Sequence, residues 1–225
     1  MKFYIENQRV EKELDWVLAQ LKLYMNGATT AQMEDRGIRY RQNYGVGMPH
    51  LKQLLKKIPY SYELAERLWF LEIRETMLLA TLLVENEDMA LERCVEWADK
   101  VNNKDLVERS AMFLWQRLNN IDDLIKDWLI GTSQELKACA FYTLGHRLKL
   151  DHAISYSIKD LVELISEDNA LVLQAASFAL RMQMRKNPDQ ISLLSNFIQR
   201  QQSSDRLIDQ AMAQEILTEI DYLNP

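Results

Sequence analysis

The chain has 225 residues, of which 48% are hydrophobic and 27% are charged, a balance typical of a globular protein. Its six glycines and four prolines leave little room for the many turns of an all-β fold. A net charge of −6 argues against a protein that binds polyanions non-specifically over its whole surface.

The first segment of the chain is polar and contains no long apolar run. We therefore expect no signal peptide and no membrane span, and a location in the cytoplasm. Apolar residues then recur at helical spacing, which predicts an amphipathic helix over residues 2–25. Asn26 and Gly27 are expected to end that helix, and Thr30 to begin the next one.

The most basic stretch of the chain follows and includes a glycine-rich loop, 45–49, in which Pro49 is predicted to open a helix. A loop of this kind before a helix N-terminus is a generic anion site. It lacks the spacing and the Lys-Ser/Thr pair of a nucleotide-binding P-loop. The basic side chains either contact phosphates or form a solvated face of a turn. They are Arg36, Arg39, Arg41, Lys52, Lys56 and Lys57.

A pair of helices is predicted over 63–86, with its turn near 72–75. At the other end of the chain, Pro188 is expected to stop one helix and open another. Two more polar amphipathic segments, 191–199 and 208–223, then close the chain in the manner of a capping repeat.

Between these regions, one sequence pattern recurs three times, at 101–118, 136–148 and 172–184. In each copy an apolar stripe at helical spacing has a small residue at its centre, where a second helix can approach closely. These residues are Ala111, Ala140 and Ala176. Their separation of roughly 30–36 residues is typical of helical-repeat solenoids. The sequence therefore predicts an all-α fold, an α-solenoid, formed as one domain over 1–225.

The pattern of reactive residues predicts neither a metal site nor a cofactor. His50, His146 and His152 are scattered along the chain without metal-ligand spacing, and no Ser-His-Asp arrangement is present. Cys94 and Cys139 lie within helical patterns, so we expect two buried, reduced thiols.

Several stretches, taken in order, resemble the DNA alkylation repair proteins, which are HEAT-like alkylpurine DNA glycosylases of the AlkD type. The similarity covers roughly residues 20–215, and its strength lies in the order and spacing of the pieces. The stretches that carry it are 45–49, 51–56, 66–69, 74–75, 105–108, 180–181 and 186–189.

This resemblance implies a curved stack of HEAT-like helix pairs with a positively charged concave face, in which duplex DNA lies. Glycosylases of the family release N3- and N7-alkylated purines without flipping the base into a pocket. A carboxylate stabilises the positive charge that develops on the sugar. Two tryptophan rings face the cationic lesion, and an arginine holds a backbone phosphate.

Carried onto this chain, the family's carboxylate falls on Glu108, which becomes the candidate catalytic residue. The first tryptophan falls on Lys104 and the second on Phe178, which are candidate lesion or DNA contacts. The arginine falls on Ala138, which cannot bind phosphate. Each position also has an ordinary interpretation, because Lys104 and Glu108 have the spacing of a surface ion pair and Phe178 suits a helix core.

The resemblance thus implies a protein that binds duplex DNA in a concave groove and has, if it is an enzyme, weak glycosylase activity. The basic residues at 36, 39, 41, 52 and 56 become the candidate DNA contacts. The alternative is a non-catalytic HEAT-repeat scaffold that has lost the site, whose partner would be another protein.

Overall fold

The computed structural model describes residues 7–85, 89–119, 121–165 and 169–223. Within these ranges the chain forms thirteen α-helices and two 3₁₀ helices, and the one β-type pairing is an isolated bridge between Gln42 and Ile73. The predicted all-α fold is confirmed. The chain divides into two compact units, an N-terminal unit (Met1–Arg109) and a C-terminal unit (Ser110–Pro225). The single domain over 1–225 stays a prediction.

In the described residues of the N-terminal unit seven α-helices begin, and the last of them ends after Arg109. They are α1 (Gln8–Leu23), α2 (Gly27–Asp35), α3 (Met48–Leu55), α4 (Tyr62–Phe70), α5 (Arg74–Leu83), α6 (Leu91–Ala98) and α7 (Lys104–Phe113). Two indole rings belong to the core of this unit. Trp69 of α4 and Trp97 of α6 are fully buried and stack in parallel, with ring centroids 4.4 Å apart.

The C-terminal unit continues with α8 (Asp122–Ile130), α9 (Gln134–Lys149), α10 (Ile158–Glu163), α11 (Ala170–Lys186), α12 (Ser195–Gln202) and α13 (Leu207–Leu223). The two 3₁₀ helices, Trp115–Arg117 and Pro188–Leu194, also lie here. Helices α9 and α11 pack along each other, and α11 also packs against α13. Ala111, Ala140 and Ala176 are all fully buried, as the repeated pattern predicts.

Two expected helix boundaries near the N-terminus are wrong. Asn26 and Gly27 do not end α1, which stops at Leu23; they begin α2. The Asn26 side chain accepts a hydrogen bond from the Thr29 N–H at 3.1 Å, which makes Asn26 the N-cap. Thr30 therefore lies inside α2, and its hydroxyl donates to the Asn26 carbonyl.

Other boundaries agree with the sequence more closely. Helix α3 begins at Met48, so Pro49 is its second residue rather than its first. The turn between α4 and α5 falls at 71–73, close to the predicted place, whereas residue 86 of the predicted pair lies outside the described residues. Pro188 opens a 3₁₀ helix directly after α11, as expected.

The predicted helical stripe over 101–118 is divided in two. Helix α7 ends at Phe113, and the last two residues of the stripe, Leu114 and Leu118, flank the 3₁₀ helix Trp115–Arg117. In the described part of the chain, no helix combines the length and the apolar character needed to cross a membrane.

Candidate nucleic-acid interface

The N-terminal unit buries three charged side chains where α5 begins. Arg74 is 6% exposed, Glu75 is fully buried, and Asp105 at the start of α7 is 8% exposed. The Arg74 Nε donates to Asp105 Oδ2 at 2.7 Å, and its Nη1 donates to Glu75 Oε1 at 3.2 Å. A buried charge is costly unless it is paired and hydrogen-bonded, and here each of the three charges has an opposite partner. We call these residues the buried charge cluster.

The buried charge cluster fixes the loop over 36–47, which joins α2 to α3. Both carboxylate oxygens of Glu75 accept backbone N–H groups of this loop, from Tyr44 at 3.0 Å and from Val46 at 3.1 Å. The Arg74 side chain donates to the Val46 carbonyl at 3.1 Å, and its backbone N–H donates to the Gln42 carbonyl at 2.9 Å. The loop thus obtains from α5 the hydrogen bonds that a helix or strand would otherwise supply.

Tyr40 anchors the same loop to α7. Its hydroxyl donates to Asp105 Oδ2 at 3.0 Å. Burial and the adjacent Asp105 carboxylate raise the pKa of Tyr40, so the phenol stays neutral and keeps its proton as a donor. Burial disfavours the charged form of Arg74, but Asp105 and Glu75 outweigh it and raise the pKa of this guanidinium. Asn103, whose side chain caps α7 at Leu106, also donates to the loop at the Arg39 carbonyl, 3.2 Å away.

Gly45 shows why the loop needs a glycine. Its φ of 71° lies in the left-handed region, and a Cβ at this position would be 2.1 Å from the Asn26 carbonyl oxygen. The loop therefore passes directly over the N-cap of α2.

The predicted phosphate contacts of the N-terminal unit are all exposed: Arg36, Arg39, Arg41, Lys52, Lys56 and Lys57. The structure brings only some of them together. Arg39 and Arg41, which flank the inward-pointing Tyr40, line one cavity with Lys100. Lys57 borders a different groove, beside Trp16 of α1. Sequence reasoning missed Lys100, because no local pattern connects a lysine after α6 with a loop before α3.

Glu108 and Lys104 lie on the exposed side of α7. Their side chains are 37% and 48% exposed, and Lys104 Nζ is 3.8 Å from Glu108 Oε1. The surface ion pair that the spacing allows is therefore present. The two acidic residues of the 105–108 motif differ in burial. Asp105 points into the unit, whereas the Glu108 side chain is partly exposed. The catalytic role of Glu108 stays a prediction.

The remaining two family positions belong to the C-terminal unit. Ala138 is fully buried, so it offers no surface to a phosphate. Phe178 is half-buried and packs against His146, with ring centroids 4.9 Å apart. A Cβ on Gly145 would lie 2.5 Å from the Phe178 ring, so the ring rests on the bare backbone of α9. Burial, with a contribution from Lys149, lowers the pKa of His146 to about 4.

Within the described residues, no group of three or more His, Cys, Asp or Glu side chains could hold a metal ion.

Comparison with known proteins agrees with this architecture. The family model for the DNA alkylation repair enzyme matches residues 17–208, most of the chain. The chain therefore belongs to the DNA alkylation repair enzyme family, and the resemblance seen in the sequence is confirmed.

A solved structure also matches, from a new family of proteins related to the HEAT-like repeat DNA glycosylases with affinity for branched DNA structures. It has a TM-score of 0.74 and 16% sequence identity, over 93% of this chain and 94% of that chain. This likeness confirms the predicted HEAT-like repeat fold. The search of curated proteins gave no match.

We expect the buried charge cluster to stabilise the N-terminal unit. Asp105→Asn keeps the size of the side chain but leaves Arg74 without its main counter-charge, so the free energy of unfolding should fall by about 3 kcal/mol or more. The matched control is Glu108→Gln on the same helix, where the loss of an exposed ion pair should cost less than about 1 kcal/mol. Urea unfolding of the two variants measures both values. Equal, small losses would show that the cluster does not stabilise the unit.

Proposed function

We propose that the protein binds DNA through the exposed basic side chains of its N-terminal unit. The proposal rests on one observation. The loop that holds Arg39 and Arg41 has a backbone that is hydrogen-bonded to the buried charge cluster. Cations on a fixed backbone lose less conformational freedom on binding than cations on a mobile loop. A guanidinium also matches the geometry of a phosphate group. Arg36, Lys52 and Lys56 are further exposed cations of the same unit.

Membership of the DNA alkylation repair enzyme family supports the same proposal, as does the affinity of the structural relative for branched DNA. Duplex and branched DNA present the same phosphate backbone, so contacts with phosphates serve both forms. Because the chain as a whole carries a charge of −6, attraction to DNA must come from a local basic surface rather than from net charge.

Base excision is the second candidate function, and the exposed carboxylate of Glu108 is the observation that favours it. A carboxylate at this position would stabilise positive charge on the deoxyribose. Lys104 opposes that effect, since its ammonium lies 3.8 Å from the carboxylate and offsets its negative charge. The family's phosphate-binding arginine corresponds to the buried Ala138. We therefore rank DNA binding first, with slow excision that depends on Glu108.

Salt titration tests the binding proposal. The affinity for duplex and for four-way-junction DNA should fall steeply between about 50 and 200 mM salt, with a log–log slope near −0.9 per phosphate contact. The triple variant Arg36→Gln/Lys52→Gln/Lys56→Gln should bind more weakly and with a shallower slope. The control is Lys126→Gln, which removes one exposed positive charge from α8 and should leave the slope unchanged. If neither DNA binds at the lowest salt, the scaffold alternative, with a protein partner, replaces this proposal.

Single-turnover release of 7-methylguanine tests the second candidate. We expect slow release by the parent protein and none above the uncatalysed rate by Glu108→Gln, which keeps the size of the side chain and removes its charge. Lys104→Trp removes the opposing cation and supplies the family's aromatic ring, so it should release base faster than the parent. Release by Glu108→Gln at the parent's rate would mean that Glu108 is not the catalytic group.

A further inference from the structure

A cavity of about 250 Å³ in the N-terminal unit has three basic side chains in its lining. Its lining residues are Arg39, Tyr40, Arg41, Glu72, Met77, Lys100 and Asn102. One water occupies about 30 Å³ of liquid, so the cavity has room for a phosphate group with several waters. Two guanidinium groups and an ammonium group provide the donors and the charge that a phosphate requires.

The walls of this cavity are fixed by contacts beneath it. Between the two arginines, Tyr40 points inward and donates to Asp105 at 3.0 Å. The backbone is held on either side, by the Asn103 side chain at the Arg39 carbonyl and by the Arg74 N–H at the Gln42 carbonyl. The part of the loop that lines the cavity is therefore held by Asp105 and Asn103 on one side and by Arg74 on the other.

Among the described residues of the lining, Glu72 is the one acidic member, and it already has a partner. Its Oε1 lies 2.7 Å from Lys100 Nζ. The two side chains are 35% and 37% exposed, so the pair is weak and open to competition from another anion. Glu72 also has a φ of 56°, in the left-handed region that residues with a side chain seldom adopt. The strained turn between α4 and α5 thus holds a carboxylate at the edge of a basic cavity.

We propose that this cavity binds one phosphate of the DNA backbone between Arg39, Arg41 and Lys100, and that the phosphate displaces Glu72 from Lys100. Glu72 is then an internal competitor that sets the affinity of the site. The inference rests on the proposed function and adds two residues to it, Lys100 as a DNA contact and Glu72 as its counter-charge.

Two substitutions with opposite expected effects on DNA affinity test the proposal in the full chain. Arg41→Gln should weaken duplex binding and lower the salt slope by about 0.9, the value of one phosphate contact. Glu72→Gln should tighten binding about two- to fivefold, because it removes the competing carboxylate. The matched control is Glu92→Gln on the exposed side of α6, which removes the same charge away from the cavity lining and should change the affinity less.

A double-mutant cycle separates a local effect from a general one. If Glu72 acts through Lys100, Glu72→Gln should give no gain when Lys100→Gln is already present. A gain of equal size in both backgrounds, or a gain as large from Glu92→Gln, would show that only net charge matters and would overturn the proposal.

Titration with inorganic phosphate examines the cavity without DNA. The Nε–Hε NMR signals of Arg39 and Arg41 should shift in a saturable way, at lower phosphate concentration in Glu72→Gln than in the parent. Such shifts in a protein that fails to bind DNA would support the cavity while the proposed function fails. DNA binding that is the same in the parent, Arg41→Gln and Glu72→Gln would overturn the cavity and leave the proposed function standing.

Discussion

The N-terminal unit depends on the buried charge cluster, in which Arg74 pairs with both Asp105 and Glu75. Charges inside a protein stabilise it only when partners replace the water they have lost, and these three side chains supply one another with those partners. Arg74 and Glu75 also bond to the backbone of the loop over 36–47, and Asp105 accepts the Tyr40 hydroxyl of the same loop. A segment with no helix or strand of its own is fixed in this way, and Arg39 and Arg41 project from it. The interaction that stabilises the fold also orients the cations of the proposed DNA contact.

Most of the fold could be predicted from the sequence because helical periodicity is a local property. The spacing of apolar residues and the recurrence of a small residue in each repeat were enough to predict helices and their stacking, and Ala111, Ala140 and Ala176 are buried accordingly. Helix boundaries were harder. An Asn-Gly pair suits the end of one helix as well as the start of another. The hydrogen bonds from the Thr29 and Thr30 N–H groups to Asn26 show that it is the N-cap of α2.

The candidate site was predictable only in part. Local charge density identified Arg39 and Arg41, but the cavity they share with Lys100 and Glu72 arises from packing between residues far apart in the chain. The four residues at 105–108 illustrate the same limit. Asp105 and the glutamate three residues later are both carboxylates. They differ in burial, because Asp105 is bonded to the buried Arg74. A motif shows which acids are present, whereas tertiary structure decides which of them is buried.

Native-state hydrogen exchange of the Tyr44 and Val46 amides measures most directly whether the buried charge cluster fixes the loop over 36–47. Both N–H groups are bound to the buried carboxylate of Glu75. We expect both amides to exchange as slowly as the core amides of α5, because exchange requires the unit to open. Exchange at the rate of unprotected loop amides, while α5 stays protected, would contradict this expectation.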